Sequence, residues 1–233
     1  MNAYLFDLPP LAALPVRGHT QRFPVHRIFC VGRNYHAHAA EMGRTVDKSV
    51  DTPFYFTKSP STLVESGATV AYPPGTENYH HEMELVVALG RSGFRVTEGD
   101  AHELIFGYAS GLDMTRRDLQ LLARDKGRPW DLGKDFEESA VCSEIVPMPG
   151  RVLERAAISL QVNGQTRQHS NIDKLIWGVR EIIADLSRFY RLQAGDLIYT
   201  GTPEGVAAVL SGDRLSGRIE GVADVALSIG KPL

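Results

Sequence analysis

The chain has 233 residues, of which 43% are hydrophobic and 23% are charged, and its formal net charge is −3. This composition is typical of an ordinary globular protein, and the length suits one large domain or a domain with a small appendage. The nearly balanced charge predicts no binding to nucleic acid or to an anionic membrane surface. No run reaches the ~20 apolar residues that a membrane helix needs, so no membrane partner is expected.

The N-terminal residues 1–24 are rich in proline and leucine and are predicted to be a lead-in segment rather than a domain. They are interrupted by Pro9, Pro10 and Pro15 and contain no basic leader, which argues against a signal peptide. The two cysteines, Cys30 and Cys142, lie among apolar neighbours without metal-ligand spacing. We therefore expect reduced thiols in the core of a cytoplasmic protein.

The first half of the chain combines strand-like runs with two short helices. Strands are predicted at residues 26–32, 53–59, 82–90 and 106–115, and helices at 34–43 and 115–127. Glycines close both helices, at Gly43 and Gly127. A turn-rich segment follows the second strand.

The second half contains the clearest hairpin in the sequence, at residues 158–168, where Asn163 and Gly164 suit a type I′ turn. Apolar residues at helical spacing predict one long amphipathic helix over 172–190. Residues 195–203 predict a strand with a tight turn, and 222–230 a terminal strand. Many strands, few helices and no regular strand–helix alternation indicate a β-dominated α+β domain, not a Rossmann fold or a TIM barrel.

The strand at 82–90 carries two glutamates, Glu82 and Glu84, in an otherwise apolar run. Because side chains on a strand alternate, both carboxylates point to the same face, roughly 7 Å apart. One interpretation is an edge strand with two solvated glutamates. The other is that a cation lies between them, since buried charges need a partner.

A third acid, Asp113, stands at the end of the next predicted strand, where it could also be an ordinary helix N-cap. Three converging carboxylates would form an all-oxygen site of the kind that Mg²⁺, Mn²⁺ or Ca²⁺ prefers. The sequence has no cysteine pair or HExxH motif that would indicate zinc. His80 and His81 precede the glutamates and are interpreted as supporting or packing residues.

His38 and Glu41 lie three residues apart on the helix predicted at 34–43, so they share a face. A carboxylate beside an imidazole orients the ring and raises its basicity, which suits a general base. A solvated helix face is the alternative. Lys58 and Lys134 lie among apolar or turn residues, where an ammonium group is costly without a charged partner.

Six segments occur in the order found in the fumarylacetoacetate hydrolase family, which the sequence resembles from about residue 26 to its end. They are VGRNYHAHAAEMG, YHHEMELVVALG, GLDMTRRDLQ, GRPWDLGKDF, VNGQTRQ and GDLIYTGTPEGV. We expect the chain to lack the long N-terminal domain of the eukaryotic fumarylacetoacetases. It is therefore similar to the compact bacterial members, which act on acylpyruvates such as fumarylpyruvate, and residues 25–233 would form the catalytic domain.

The resemblance implies the family's mixed β-sandwich roll with few helices, usually as a homodimer, and a role for each matching residue. It implies that Mg²⁺ or Mn²⁺ is held by Glu82, Glu84 and Asp113. It also implies that His38 and Glu41 form a catalytic dyad on a lid and that Lys134 stabilises an oxyanion. Substrate contacts would come from Arg117, Gln120 and Thr202. Lys58 would be a charge partner of the metal carboxylates.

The reaction implied is hydrolysis of the carbon–carbon bond of an acylpyruvate. His38 would deprotonate the attacking water and Lys134 would stabilise the tetrahedral oxyanion. With fumarylpyruvate the products would be fumarate and pyruvate, a step of gentisate-type aromatic degradation. Alternatives within the family are decarboxylation of oxaloacetate-like acids and isomerisation of hydroxydienedioates. A non-enzymatic domain with a structural ion is the remaining alternative.

Overall fold

The computed structural model describes residues 4–232. The strands are β1 (Ala13–Leu14), β2 (Phe23–Pro24), β3 (Arg27–Gly32), β4 (Phe54–Lys58), β5 (Leu63–Glu65), β6 (Ala68–Tyr72), β7 (Tyr79–His80), β8 (Met83–Leu89), β9 (Ile105–Asp113), β10 (Thr115–Arg116), β11 (Ala140–Cys142), β12 (Val146–Pro147), β13 (Ala157–Val162), β14 (Gln165–Asn171), β15 (Asp196–Tyr199), β16 (Arg214–Ile219) and β17 (Val225–Pro232). The α-helices are α1 (His36–Glu41), α2 (Arg117–Asp125), α3 (Asp131–Lys134) and α4 (Val179–Phe189). Short 3-10 helices span Pro60–Thr62, Ala101–Leu104 and Ile172–Lys174.

Two sheets make up most of the fold. The eight-stranded sheet has the order β4-β3-β15-β8-β9-β11-β5, with β12 also paired to β9, and the five-stranded sheet has the order β14-β13-β16-β17-β6. Both sheets are mixed, since β3 runs parallel to β15 and β6 parallel to β17 while the other neighbours of these strands are antiparallel. The prediction of a β-dominated α+β fold with few helices is confirmed. None of the helices within residues 4–232 is long and apolar enough to cross a membrane.

Strand β8 lies inside the eight-stranded sheet and is buried along its whole length. Met83, Leu85 and Val87 join the core between the two sheets. Val86 and Ala88 join a second apolar cluster, to which the N-terminal segment contributes buried residues of its own, among them Leu14 and Phe23. Because the strand alternates, Glu84 shares the side of Val86 and Ala88 and faces away from the five-stranded sheet.

The eight-stranded sheet curls, and the curl brings distant strands together at the acidic residues. In a flat sheet β4 and β9 would be four strand spacings apart, about 19 Å. Yet Lys58 Nζ at the end of β4 lies 3.0 Å from Asp113 Oδ1 at the end of β9. The carboxylates are therefore enclosed by the concave side of the sheet.

The hairpin is as predicted, with φ of 53° at Asn163 and 77° at Gly164, as a type I′ turn requires. The long helix predicted at 172–190 is wrong in its first part, because α4 begins only at Val179. The Gly178 N–H instead donates to the Glu181 side chain at 2.8 Å and caps the helix. The preceding Ile176 N–H donates to the Asn34 carbonyl at 2.9 Å, which ties this segment to the beginning of α1 rather than to a helix.

Candidate metal centre and active site

Glu82, Glu84 and Asp113 converge at one end of the paired strands β8 and β9. One carboxylate oxygen of each lies within 4.8 Å of the others, and all three side chains are buried. The Asp113 N–H donates to the Glu82 carbonyl at 2.9 Å, so these two residues stand opposite each other and their side chains share a face. Glu84 stands opposite Gly111. The alternative of an edge strand with solvated glutamates is wrong, because β8 pairs with strands on both sides.

Three buried cations surround these carboxylates. Lys134 donates to Glu82 at 2.8 Å, to Asp113 at 2.7 Å and to the Thr115 hydroxyl at 2.8 Å, which uses all three of its ammonium hydrogens. Arg117 donates to the other oxygen of Glu82 and also to Gln120. With Lys58 beside Asp113, the structure supplies the charged partners that both buried lysines require.

The two glutamates differ in their electrostatic environment. Burial would raise the pKa of Glu82, but Lys134 and Arg117 outweigh it and hold that pKa well below its usual range. Burial raises the pKa of Glu84, and the neighbouring Asp113 and Glu82 raise it further. The Glu84 carboxylate accepts a hydrogen bond from the Gly201 N–H at 2.7 Å and forms no ion pair within residues 4–232.

This donor set fits a hard divalent cation. All three groups are carboxylates, the ligands that Mg²⁺ and Mn²⁺ favour. Asp113 Oδ1 lies close to Lys58 but accepts no hydrogen bond of good geometry, so one buried oxygen remains available. A cation bound between the three oxygens would also offset the repulsion that raises the pKa of Glu84.

His38 and Glu41 lie on α1, above the carboxylates. His38 Nδ1 is 3.5 Å from Glu41 Oε2, and the other Glu41 oxygen accepts a hydrogen bond from the Gly205 N–H at 2.9 Å. Burial lowers the pKa of His38, although Glu82 and Glu41 act in the opposite direction. The ring is therefore neutral near pH 7, with Nε2 free of the Glu41 contact. Buried Asn34 anchors the start of the helix by donating to the carbonyls of Trp177 and Thr200 at 2.9 and 2.8 Å.

One pocket gathers most of the residues that the sequence predicts for the site. Its lining includes His38, Glu82, Glu84, Arg117, Gln120, Lys134 and Thr202. Three predicted residues lie outside the lining: Asp113, Lys58 and Glu41. Asp113 and Lys58 are buried behind the pocket, whereas Glu41 faces an adjoining recess.

Gln168 on β14 is a residue that sequence reasoning missed. Its side-chain oxygen accepts from the Met83 N–H at 3.0 Å and lies 3.1 Å from His81 Nδ1, while its amide donates to the Thr202 hydroxyl at 2.8 Å. It thus joins the start of β8 to the pocket wall. The sequence predicted a hairpin that includes Gln168, but the hairpin pattern did not indicate that its side chain is buried.

The histidines before β8 contact residues of the pocket or its wall, and their interpretation as supporting or packing residues stays a prediction. Buried His81 contacts Gln168, and His80 Nδ1 lies 3.5 Å from Arg117 Nε. Burial lowers the pKa of each to about 4, so both rings are neutral at neutral pH. Neither belongs to the group of carboxylates that could hold a cation.

The chain is similar to known proteins over most of its length. Residues 27–229 match the family model described as the C-terminal domain of fumarylacetoacetate hydrolase. The chain therefore belongs to the fumarylacetoacetate hydrolase family, as the sequence resemblance predicted.

Relatives and solved structures are similar over most of the chain. A fumarylpyruvate hydrolase of a Ralstonia species is 74% identical over 189 residues, covering 81% of this chain and 98% of that protein. The mitochondrial oxaloacetate tautomerase of Rattus norvegicus is 40% identical, covering 87% of this chain and 90% of that protein. The crystal structure of fumarylpyruvate hydrolase from Pseudomonas aeruginosa in complex with Mn²⁺ and pyruvate has a TM-score of 0.93 and 46% identity. That comparison covers 98% of this chain and 100% of the crystallised chain, and it confirms the expected family fold.

Proposed function

We propose that the protein hydrolyses the carbon–carbon bond of an acylpyruvate, with fumarylpyruvate as the substrate and fumarate and pyruvate as products. The observation that carries this proposal is the placement of the His38 base in the same pocket as a buried three-carboxylate metal centre. The 74% identity to a fumarylpyruvate hydrolase supports the choice of substrate. A structural ion alone would have no use for a base in the pocket.

The polar groups around the metal carboxylates would bind the substrate. Glu82, Glu84 and Asp113 would hold Mg²⁺ or Mn²⁺, which when bound polarises the carbonyl oxygens of the substrate and stabilises negative charge on the departing group. Arg117, Gln120 and Thr202 line the pocket beside these residues and can bind the carboxylate of the pyruvyl group.

The hydrolytic step requires a base and a group that stabilises an oxyanion. Neutral His38, oriented by Glu41, accepts a proton from water at its free Nε2 as the water attacks the acyl carbonyl. Lys134 stabilises the resulting oxyanion, and for this it exchanges one of its three present contacts. The bond between the acyl carbon and the pyruvyl methylene then breaks, the electron pair leaves with the pyruvate enolate, and the enolate methylene takes up the proton held by His38 to give pyruvate.

Four further expectations belong to the same proposal. The metal in the cell is Mg²⁺ or Mn²⁺, the enzyme is cytoplasmic and acts as a homodimer, and the reaction serves the degradation of aromatic compounds. Light scattering coupled to size-exclusion chromatography tests the dimer, which would elute near twice the chain mass of 25.6 kDa.

The test of the function is a comparison of substrates at saturating Mn²⁺ or Mg²⁺. Fumarylpyruvate, acetylpyruvate and oxaloacetate would be incubated separately, with pyruvate release measured by a coupled assay and oxaloacetate tautomerisation by absorbance. We expect hydrolysis of fumarylpyruvate at the highest kcat/KM and its loss on treatment with a chelator.

The tautomerases among the relatives make oxaloacetate the informative second substrate. Rapid conversion of oxaloacetate without hydrolysis of either acylpyruvate would contradict the proposed reaction. Hydrolysis that persists at full rate after removal of the metal would contradict the proposed metal centre. The matched control is Glu84→Gln, which retains the size of the side chain but loses a metal-binding charge.

A further inference from the structure

Three arginines of the active-site pocket also line an adjoining recess that the metal carboxylates do not line. Arg33 follows β3, Arg44 follows α1 and Arg124 lies near the end of α2, so three separate parts of the chain contribute one positive charge each. The acidic side chains among the lining residues are Glu82 and Glu84, at the metal centre. The pocket therefore has a distinct cationic region.

These arginines are poorly neutralised. Within residues 4–232, Arg33 and Arg44 form no ion pair, and Arg124 pairs with the adjacent and exposed Asp125 at 2.8 Å. Burial lowers the pKa of Arg33, and Arg44 and Arg124 lower it further, while Asp51 acts in the opposite direction. Like charges gathered in one pocket destabilise each other, so an anion that binds among them gains affinity.

The local structure holds Arg33 in a strained backbone conformation. Its φ of 56° is a left-handed conformation that is uncommon for a residue other than glycine. Its guanidinium lies 5.5 Å from the centre of the Phe54 ring and 6.0 Å from that of Trp130. Stacking of this kind fixes the guanidinium by its face and leaves its N–H edge for a carboxylate.

Helix α2 sets the distance between the two ends of the pocket. Arg117, which contacts the metal ligand Glu82, and Arg124 are seven residues apart on this helix and line the same pocket. At ~1.5 Å per residue their backbones are separated by about 10 Å, nearly two full turns, on the same face. An extended seven-carbon chain spans about 7 Å between its terminal carbons, which is comparable with this separation.

We propose that Arg33, Arg44 and Arg124 form a subsite for the distal carboxylate of the substrate, so that the enzyme selects acylpyruvates with a carboxylate at both ends. The inference rests on the proposed function for the identity of the proximal group. Fumarylpyruvate has a carboxylate at each end of a seven-carbon chain, whereas acetylpyruvate lacks the distal one.

The test uses two ligands of equal length that cannot be hydrolysed, because they lack the second keto group. These are 2-oxoheptanedioate, with a distal carboxylate, and 2-oxoheptanoate, without one. Calorimetric titration at saturating Mn²⁺ would give the dissociation constant of each. We expect the parent protein to bind the diacid at least tenfold more tightly, because one arginine–carboxylate contact is worth roughly 10- to 100-fold.

The double variant Arg33→Gln/Arg124→Gln should lose this preference while its affinity for 2-oxoheptanoate stays within about threefold. Retained binding of the monoacid also shows that the variant is folded. Arg44→Gln, at an exposed position, should reduce the preference in the same direction. Arg91→Gln is the control for loss of one positive charge, since Arg91 is exposed beyond the opposite end of β8 from Glu84, and it should leave the preference unchanged.

Two results would overturn the subsite: equal affinity of the parent for both ligands, or an equal loss for both ligands in the double variant. Kinetics separates this failure from failure of the proposed function. If the parent prefers the diacid but hydrolyses neither fumarylpyruvate nor acetylpyruvate, the proposed subsite stands and the proposed reaction is refuted. A parent that hydrolyses fumarylpyruvate while the double variant retains the preference keeps the reaction and refutes the subsite.

Discussion

Replacing His38 by alanine should separate hydrolysis from metal binding. His38 is buried in the pocket lining, and its contact with Glu41 leaves Nε2 as the nitrogen available to a water molecule. It is not one of the groups that could hold a cation. The substitution should therefore remove the proposed base without removing a proposed metal ligand.

The size of the effect follows from this arrangement. A general base typically contributes about 10²- to 10⁴-fold, and the burial that lowers the pKa of His38 keeps the ring in its neutral, proton-accepting form near pH 7. We therefore expect kcat/KM for fumarylpyruvate to fall at least ~10²-fold in His38→Ala. The affinity for Mn²⁺ should stay within about threefold of the parent, because charge-neutral His38 adds little to the field at the carboxylates.

Steady-state hydrolysis and calorimetric titration with Mn²⁺ measure the two quantities. His36→Ala is the matched control, since His36 lies on the same helix but is exposed, and it should retain activity. If hydrolysis survives in His38→Ala within about tenfold, the base lies elsewhere. If Mn²⁺ binding is lost together with activity, His38 is a ligand and the assignment of the site is wrong. Oxaloacetate decarboxylation, which needs only stabilisation of an enolate, should suffer much less.

Three further predictions concern the same site. Glu41 raises the pKa of His38, so Glu41→Gln should lower that pKa. The acidic limb of the profile of kcat/KM against pH should then move to lower pH, and its plateau should be about tenfold lower. A limb displaced to higher pH would contradict the dyad. Glu84→Gln and Glu82→Gln should both weaken Mn²⁺ binding in calorimetry. Only Glu82→Gln should lower the melting temperature of the metal-free protein by several degrees. This substitution leaves Lys134 and Arg117 poorly paired, at a cost of about 3 kcal/mol in the free energy of unfolding. Equal melting temperatures of the two variants would refute this difference between the glutamates. Residues 34–53 are predicted to form a mobile lid, so their hydrogen exchange should slow when oxalate and Mn²⁺ are added, and unchanged exchange would count against a lid.

The sequence predicted best those features that depend on neighbouring residues. The alternation in β8 was enough to place Glu82 and Glu84 on one face, and Asn163 with Gly164 was enough to define a hairpin turn. Both are local, since a strand repeats every two residues and a type I′ turn needs two residues with positive φ. Asp113 was recognised from the sequence only as a candidate third acid, and the family resemblance implied its role, because Asp113 lies opposite Glu82 only after β8 and β9 have paired.

Strand β16 shows why other elements escaped prediction. Its buried positions alternate regularly, but one of them is Gly217, which adds no apolar side chain to the pattern. A Cβ at Gly217 would lie 2.4 Å from the sulfur of Met83, so the sheet on the other side of the core requires a glycine there. The first part of the helix predicted at 172–190 failed for a similar reason, because hydrogen bonds to Asn34 lie outside any local window.

The buried cluster also has a charge balance that no local pattern could show. It combines three acids with three cations: Glu82, Glu84 and Asp113 with Lys58, Lys134 and Arg117. Their formal charges cancel, so a bound divalent cation would leave two positive charges in excess. The pyruvyl carboxylate of a substrate would offset one, and the second would be offset as negative charge develops, first on the tetrahedral oxyanion and then on the departing pyruvate enolate. The cluster is then closer to neutrality during the reaction than with the bound substrate, which is the condition under which a site stabilises the transition state more than the substrate.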